Sequence, residues 1–350
     1  MFAPVASDVP SVLSDNPKPG IPFEDVLGQI AQRHYLALPD KIVPLASLRA
    51  TEDGLIEVPD HGRLSLTAWS RQRLANLLGI RWDRWFASES IAPTDRALEI
   101  NRRFRASADH LKVRARRQSA SETAPGDGIL RAFVTPTYGP IDDLEVFESM
   151  GRSLAGRLDG FRFIRQDVTC ESSQYAAVCL EEIDLGTGKQ DRHRNGFLVA
   201  NSEVGSRSLG ILVWVWRLVC SNGLVAPDSR IFRLVHRQRK NTSMGRNLEG
   251  AFGLMPENWK RAETVLRNAR RDALADPRLA LELLIKARAE LRPLSESILA
   301  AFEADPEPTR FGLVQALTRA AQSVSPERRL AVEEMAGQVA AAGPTLEVMR

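Results

Sequence analysis

Three cysteines, Cys170, Cys179 and Cys220, are all that the 350 residues carry, and no two form a CxxC pair. An odd, unpaired set argues against a disulfide scaffold and for a reducing, cytoplasmic setting. The five histidines, His34, His61, His110, His193 and His236, are scattered with no HExxH and no close pair, so neither a metal site nor another cofactor site is legible. No stretch approaches the 18 uninterrupted apolar residues that a membrane-spanning helix needs. The opening MFAPVASDVPSVLSDNPKPG has no basic start and no continuous apolar run, so it reads as a flexible arm over residues 1–20 and not as a leader. Charge of one sign is also in short supply. A formal net charge of +3 makes a polyanionic partner arguable only from local clustering.

The 43% hydrophobic and 26% charged residues are those of a globular chain, and the length suggests a large domain with an appended unit. FEDVLGQIAQRHY has helical spacing. KIVPLASLRA and GLIEVPD flank Asp53-Gly54 as an extended pair with a turn. LSLTAWSRQRLANLLGI predicts a helix capped by Ser or Thr, and APTDRALEINRRFRAS another, opened by Pro93. From about residue 108 the period falls to two, and HLKVRAR, ILRAFVT, FRFIRQDV, QYAAVCLEEI, NGFLVANS, LGILVWVWRLV and RIFRLVHR read as strands of one sheet. The helical IDDLEVFESMGRSLAGRL interrupts them, and Gly186-Thr187-Gly188-Lys189 reads as a hairpin turn, since no helix follows as a phosphate loop requires. After Gly253 the pattern is helical. The expectation is an α+β core over residues 21–250, mainly antiparallel sheet with packed helices, followed by a separate all-helical C-terminal region over 254–350.

The arginines are the most informative feature. Residues 101–120 hold seven Lys or Arg against one Asp. In HLKVRAR, alternation puts His110, Lys112, Arg114 and Arg116 on one strand face, a row of cations about 7 Å apart. Arg102 and Arg105 lie upstream, and Arg233, Arg237 and Arg239 share a face of RIFRLVHRQRK, with Lys240 next to them. Such rows serve backbone phosphates through counterion release or, equally, act as solvated faces that deter edge pairing. Tyr138, in a turn, is the aromatic free to stack on a base, whereas Trp214 and Trp216 sit in an apolar strand and belong to the core.

WRLVCSNGLV raises a second possibility. Cys220, Asn222 and His236 could form an enzymatic or nucleotide-handling site if a hairpin brought them together. Read structurally, Asn222-Gly223 makes a type I′ turn and Arg217 pairs with a carboxylate such as Asp228.

LSLTAWSRQRLANLLGI, RAFVTPTYGPIDDLEVFESM and FLVANSEVGSRSLGILVWVWRLVCSNGL together resemble the phage and plasmid-like domain-of-unknown-function family numbered 932, over roughly residues 20–245. Its most specific part is Arg217, Cys220, Asn222 and Gly223, with Asn201-Ser202 upstream and His236 downstream. The resemblance implies mobile-element DNA metabolism and no particular reaction. A weaker likeness is to the single-strand annealing superfamily, which implies an oligomeric sheet-and-helix core with a basic groove. The expectation is a non-catalytic binder of single-stranded DNA, acting as a homo-oligomer, with an enzyme or a structural assembly protein as the alternatives.

Overall fold

The structure is a computed structural model that describes residues 20–81, 90–118, 128–185, 192–218, 222–236 and 244–342. The expected arm and the Gly186–Lys189 turn lie outside these residues.

The chain opens with helix α1 (Phe23–His34), whose Phe23, Val26 and Ile30 are buried on one face. Strands β1 (Lys41–Pro44), β2 (Arg49–Ala50), β3 (Ile56–Val58) and β4 (Gly62–Leu66) follow. The Asp53-Gly54 turn joins β2 to β3 with Gly54 at φ 81°, a conformation that glycine adopts without a side-chain clash. Helix α2 (Ala68–Leu77) is capped by the Thr67 hydroxyl, which accepts from Ser70 N, and α3 (Pro93–Ala106) begins on Pro93. Strands β5 (His110–Arg117) and β6 (Gly128–Val134) complete a first six-stranded sheet in the order β1-β5-β6-β4-β3-β2. All its pairs are antiparallel except β4 with β6. One face buries Leu111, Val113 and Leu130 against Leu74 of α2 and Phe104 of α3.

The single sheet expected from the sequence is therefore two. The crossing helix α4 (Asp143–Ser153) ends the first sheet and starts a second, made of β7 (Phe161–Val168), β8 (Ser173–Cys179), β9 (Ile183–Asp184), β10 (Arg192–Asn201), β11 (Leu209–Arg217) and β12 (Asn222–Leu234). Its order is β12-β11-β10-β8-β7, with β9 on β10 and every pair antiparallel.

The remaining helices are α5 (Met244–Gly253), α6 (Met255–Arg271), α7 (Pro277–Ala287), α8 (Ser295–Ala304), α9 (Arg310–Ala320) and α10 (Pro326–Ala341). They share a core with the second sheet. Phe197, Val199 and Ile211 pack with α1, α4 and α5, while Val213 and Val215 pack with α6 to α9. The opposite face carries Leu198, Leu212, Trp214 and Trp216, which Leu330 of α10 helps to cover. Both tryptophans belong to this core, at 0% and 8% exposure.

Buried ions fix where α10 lies. Arg165 on β7 forms a forked pair with Glu333, at 2.5 and 3.1 Å, and Arg329 reaches Asp167 at 3.1 Å. Arg165 also lies over the Trp214 ring, 5.2 Å from its centroid. Planar guanidinium groups suit both the carboxylate fork and the ring face.

Candidate functional site

Alternation on β5 holds, but it does not turn the cations to open water. Lys112, Arg114 and Arg116 point away from the first sheet's apolar core, into the seam between the two sheets. Arg114 is 7% exposed. Its Nε bonds Asp40 at 2.9 Å, its Nη2 bonds Asp142 at 2.8 Å, and its Nη1 donates to the Glu203 carbonyl. Burial alone would lower its pKa, but Asp142 and Asp40 outweigh that and raise it. All three nitrogens are thus committed within the protein, which corrects the expectation that Arg114 faces backbone phosphates.

Tyr138 is likewise not free. Its ring stacks on His236 at 5.6 Å, its hydroxyl donates to the Glu203 carbonyl at 3.3 Å, and its own carbonyl accepts from Lys112 Nζ at 2.6 Å. His236 Nδ1 accepts from Ile141 N at 3.2 Å, so the imidazole sits at the start of the α4 crossing. That position removes the proposed Cys220, Asn222 and His236 constellation. Asn222 pairs with Arg217 at one end of β12 and Leu234 pairs with Leu209 at the other, so His236 lies about 25 Å away along the strands. Cys220 itself is outside the described residues.

The Asn222-Gly223 expectation needs correction too. Both residues belong to β12 and pair with Arg217 and Trp216. The need for glycine comes from close approach, since a Cβ on Gly223 would stand 1.8 Å from the Trp214 ring. Arg217 is paired with Asp305 at 3.1 Å and with Gln315 at 3.0 Å, and the Asp228 side chain named as its expected partner lies outside the described ones.

The other basic residues are dispersed. Arg102 is exposed and forms two bonds to Glu99, and Arg105 is exposed on the same helix, across the first sheet from the seam. Arg233 is exposed and donates to Ser208 Oγ at 3.3 Å. Arg237, Arg239 and Lys240 lie outside the described residues.

What the seam assembles instead is a small polar cleft, with a cavity volume of about 40 Å³, lined chiefly by Arg33, Arg116, Arg131, Asp143, Thr169 and Ser172. Arg131 is the extra residue of a bulge on β6, where Arg114 pairs with Ala132 and Ala115 with Leu130. Such a bulge turns a side chain out of the alternation. Arg131 bonds the Cys170 carbonyl at 2.7 Å and Glu203 at 2.6 Å. Burial would raise the Glu203 pKa, but Arg131 outweighs it and holds the carboxylate below its usual range. Glu203 also accepts from the backbone N–H of Asp143 at 3.0 Å.

Asp143 takes the opposite course. Burial, with the Glu203 charge next to it, pushes its carboxyl up to about 6, against the bond from Asn201 and the charge of Arg131. Its oxygens accept from Asn201 Nδ2 at 2.8 Å and from Tyr175 Oη at 3.2 Å. Arg33 donates to the Tyr175 hydroxyl at 2.6 Å, and Arg116 Nη2 lies 3.1 Å from Cys170 Sγ. Neither Arg33 nor Arg116 has a carboxylate partner among the described residues, and the buried Arg116 Nε has no hydrogen-bond partner there.

The rim adds cations and an aromatic ring. Ala37 bridges to Arg116, and Arg117 N donates to the Leu36 carbonyl, which joins the end of α1 to the end of β5. His34 and Arg117 are exposed, and Tyr35, which follows His34 at the end of α1, is 70% exposed. The sequence signals for these residues were weak. Arg131 breaks an otherwise apolar strand, Asp142-Asp143 looks like an ordinary helix start, and Arg33 to Tyr35 look like an ordinary helix end.

Among protein-family models, one described as a domain of unknown function, DUF932, matches residues 132–337, from β6 into α10. The match spans more than half of the chain and takes in the helical region, so the chain belongs to this family. No curated protein and no solved structure matches it.

Proposed function

We propose that this DUF932 chain is a non-catalytic nucleic-acid-binding protein that prefers single-stranded DNA, and that the strand lies across the rim of the seam cleft. The observation that carries this reading is the Tyr35 ring, 70% exposed, next in the chain to His34, which lines the cleft with Arg33 and Arg116. An exposed aromatic ring offers a stacking surface that tolerates any base, at about 1 to 3 kcal/mol per base. Adjacent cations without carboxylate partners release counterions when they meet phosphates. A duplex hides its base faces, so the same surface favours an unpaired strand. The interface is smaller than the arginine rows suggested and keeps only Arg116 from them. Arg33, His34, Tyr35 and Arg116 carry it, while Arg114 holds the seam that positions them.

Fluorescence-anisotropy titration of labelled single-stranded and duplex oligonucleotides at two salt concentrations tests the reading. The expected result is binding that favours the single strand, weakens with salt and falls in Tyr35→Ala. An absence of binding at low salt overturns it.

A further inference from the structure

The cleft is open at its rim and closed at its floor. His34 at the rim is exposed, whereas Arg131, Asp143 and Ser173 are 8%, 8% and 3% exposed. An internal phosphodiester must enter and leave a site with chain on both sides, and a closed floor gives it no exit. The floor is also chemically mixed. Arg33 and Arg116 supply N–H donors and positive charge and Asp143 supplies a buried carboxyl, while the Thr169 and Ser172 hydroxyls donate to the Ser172 carbonyl and to Glu327. The Arg131 charge is already matched by Glu203.

Resting on the nucleic-acid reading above, we propose that the cleft receives the terminal phosphomonoester of a strand. A phosphodiester has only acceptor oxygens and meets Asp143 unfavourably whenever that carboxyl is ionised, as it mostly is at neutral pH. A phosphomonoester has a second pKa of about 6, so near neutrality part of it carries a P–OH that can donate to a carboxylate. Its remaining oxygens match the guanidinium groups of Arg33 and Arg116 that line the cleft without carboxylate partners among the described residues, the charge-assisted pairing in which arginine serves best. The burial that pushes Asp143 up to about 6 gives the carboxyl a protonated form that donates to a fully ionised phosphate. Either way a single proton is shared between the two acids, and the terminal group is told apart from the internal ones. With the end held here, the following bases extend over the rim toward Tyr35.

The test uses the full chain and one single-stranded oligonucleotide in three forms: 5′-phosphate, 3′-phosphate and unphosphorylated. The expected result is that one phosphorylated form binds at least about fivefold more tightly than the unphosphorylated form, and that millimolar inorganic phosphate removes the advantage. In Arg116→Ala, checked for folding by circular dichroism, the ratio between the forms falls to about one. The competition by inorganic phosphate needs no variant, so a misfolded variant leaves the test intact. Equal binding of all three forms overturns the terminal-phosphate inference and leaves the nucleic-acid reading standing. Uptake of inorganic phosphate or a mononucleotide, seen by calorimetry, with no oligonucleotide bound overturns both and makes the cleft a site for small phosphates.

Discussion

Arg114 on β5 and Asp142 at the entrance of α4 form a 2.8 Å ion pair across the seam between the two sheets. Asp40 completes the guanidinium's partners from the loop before β1. Removing one side of such a buried arrangement leaves the other charges unmatched, at a cost of about 3 to 5 kcal/mol. Arg114→Ala is therefore expected to lose about that much stability in urea unfolding. A loss below about 1 kcal/mol would show that the pair does not hold the seam.

The ions beneath α10 predict a non-additive pair. Arg165→Met alone leaves Glu333 buried without its fork, and Glu333→Leu alone leaves Arg165 with only Asp167. Each single change should destabilise the chain, and the double change should cost clearly less than their sum, with a coupling of about 1 to 3 kcal/mol. Additive losses in a double-mutant cycle would contradict this.

Most elements were legible in the sequence because their causes are local. Thr67 and Pro93 mark helix starts, Asp53-Gly54 marks a turn, and period-two alternation marks β5, β7 and β10. The division into two sheets was not legible, because β6 pairs in parallel with β4 some sixty residues earlier, and no local pattern encodes such a partner. Arg114 shows the same limit at the level of the site. Alternation gives the face of a strand but not what covers it, and here the cover is a loop bearing Glu203 and a helix start bearing Asp142. Gly223 shows it again, since its role depends on the Trp214 ring of the neighbouring strand.

That dependence makes Gly223→Ala a sharp test. A methyl group placed 1.8 Å from the Trp214 ring forces either the ring or β12 to move. Overpacking of this kind costs about 1 to 3 kcal/mol or more. The variant is expected to melt earlier and to change the tryptophan emission. An unchanged melting temperature would mean that β12 does not pair as described.

Asp143 makes stability depend on pH. Its folded value of about 6 lies above the ordinary 3.8, so the folded state holds the proton more tightly. The resulting stabilisation is complete below about pH 3.8 and is lost as pH rises through 6, at most about 3 kcal/mol for a shift of this size. Glu203, held below its usual range, runs the other way and loses its contribution only at lower pH. Glu333, raised by burial, acts in the same direction as Asp143, so the comparison must be with a variant. In Asp143→Asn the stability should change less between pH 4 and 6 than in the original chain. Parallel curves from urea unfolding would remove Asp143 from this role.

The rim reading carries a quantitative salt dependence. Arg33 and Arg116 present two cations to a strand, and for a single strand the slope of log affinity against log salt is about −0.7 per phosphate neutralised. A slope of about −1.4 is expected. Arg116→Ala should bring it near −0.7, because one ion contact is lost, whereas Tyr35→Ala should weaken binding by about 10-fold or more at constant slope, because stacking releases no counterion. Arg102→Ala, on the far side of the first sheet, should change neither quantity. If Arg102→Ala and Arg116→Ala instead flattened the slope equally, the strand would not lie on the rim, and binding would be spread over the basic surface as a whole.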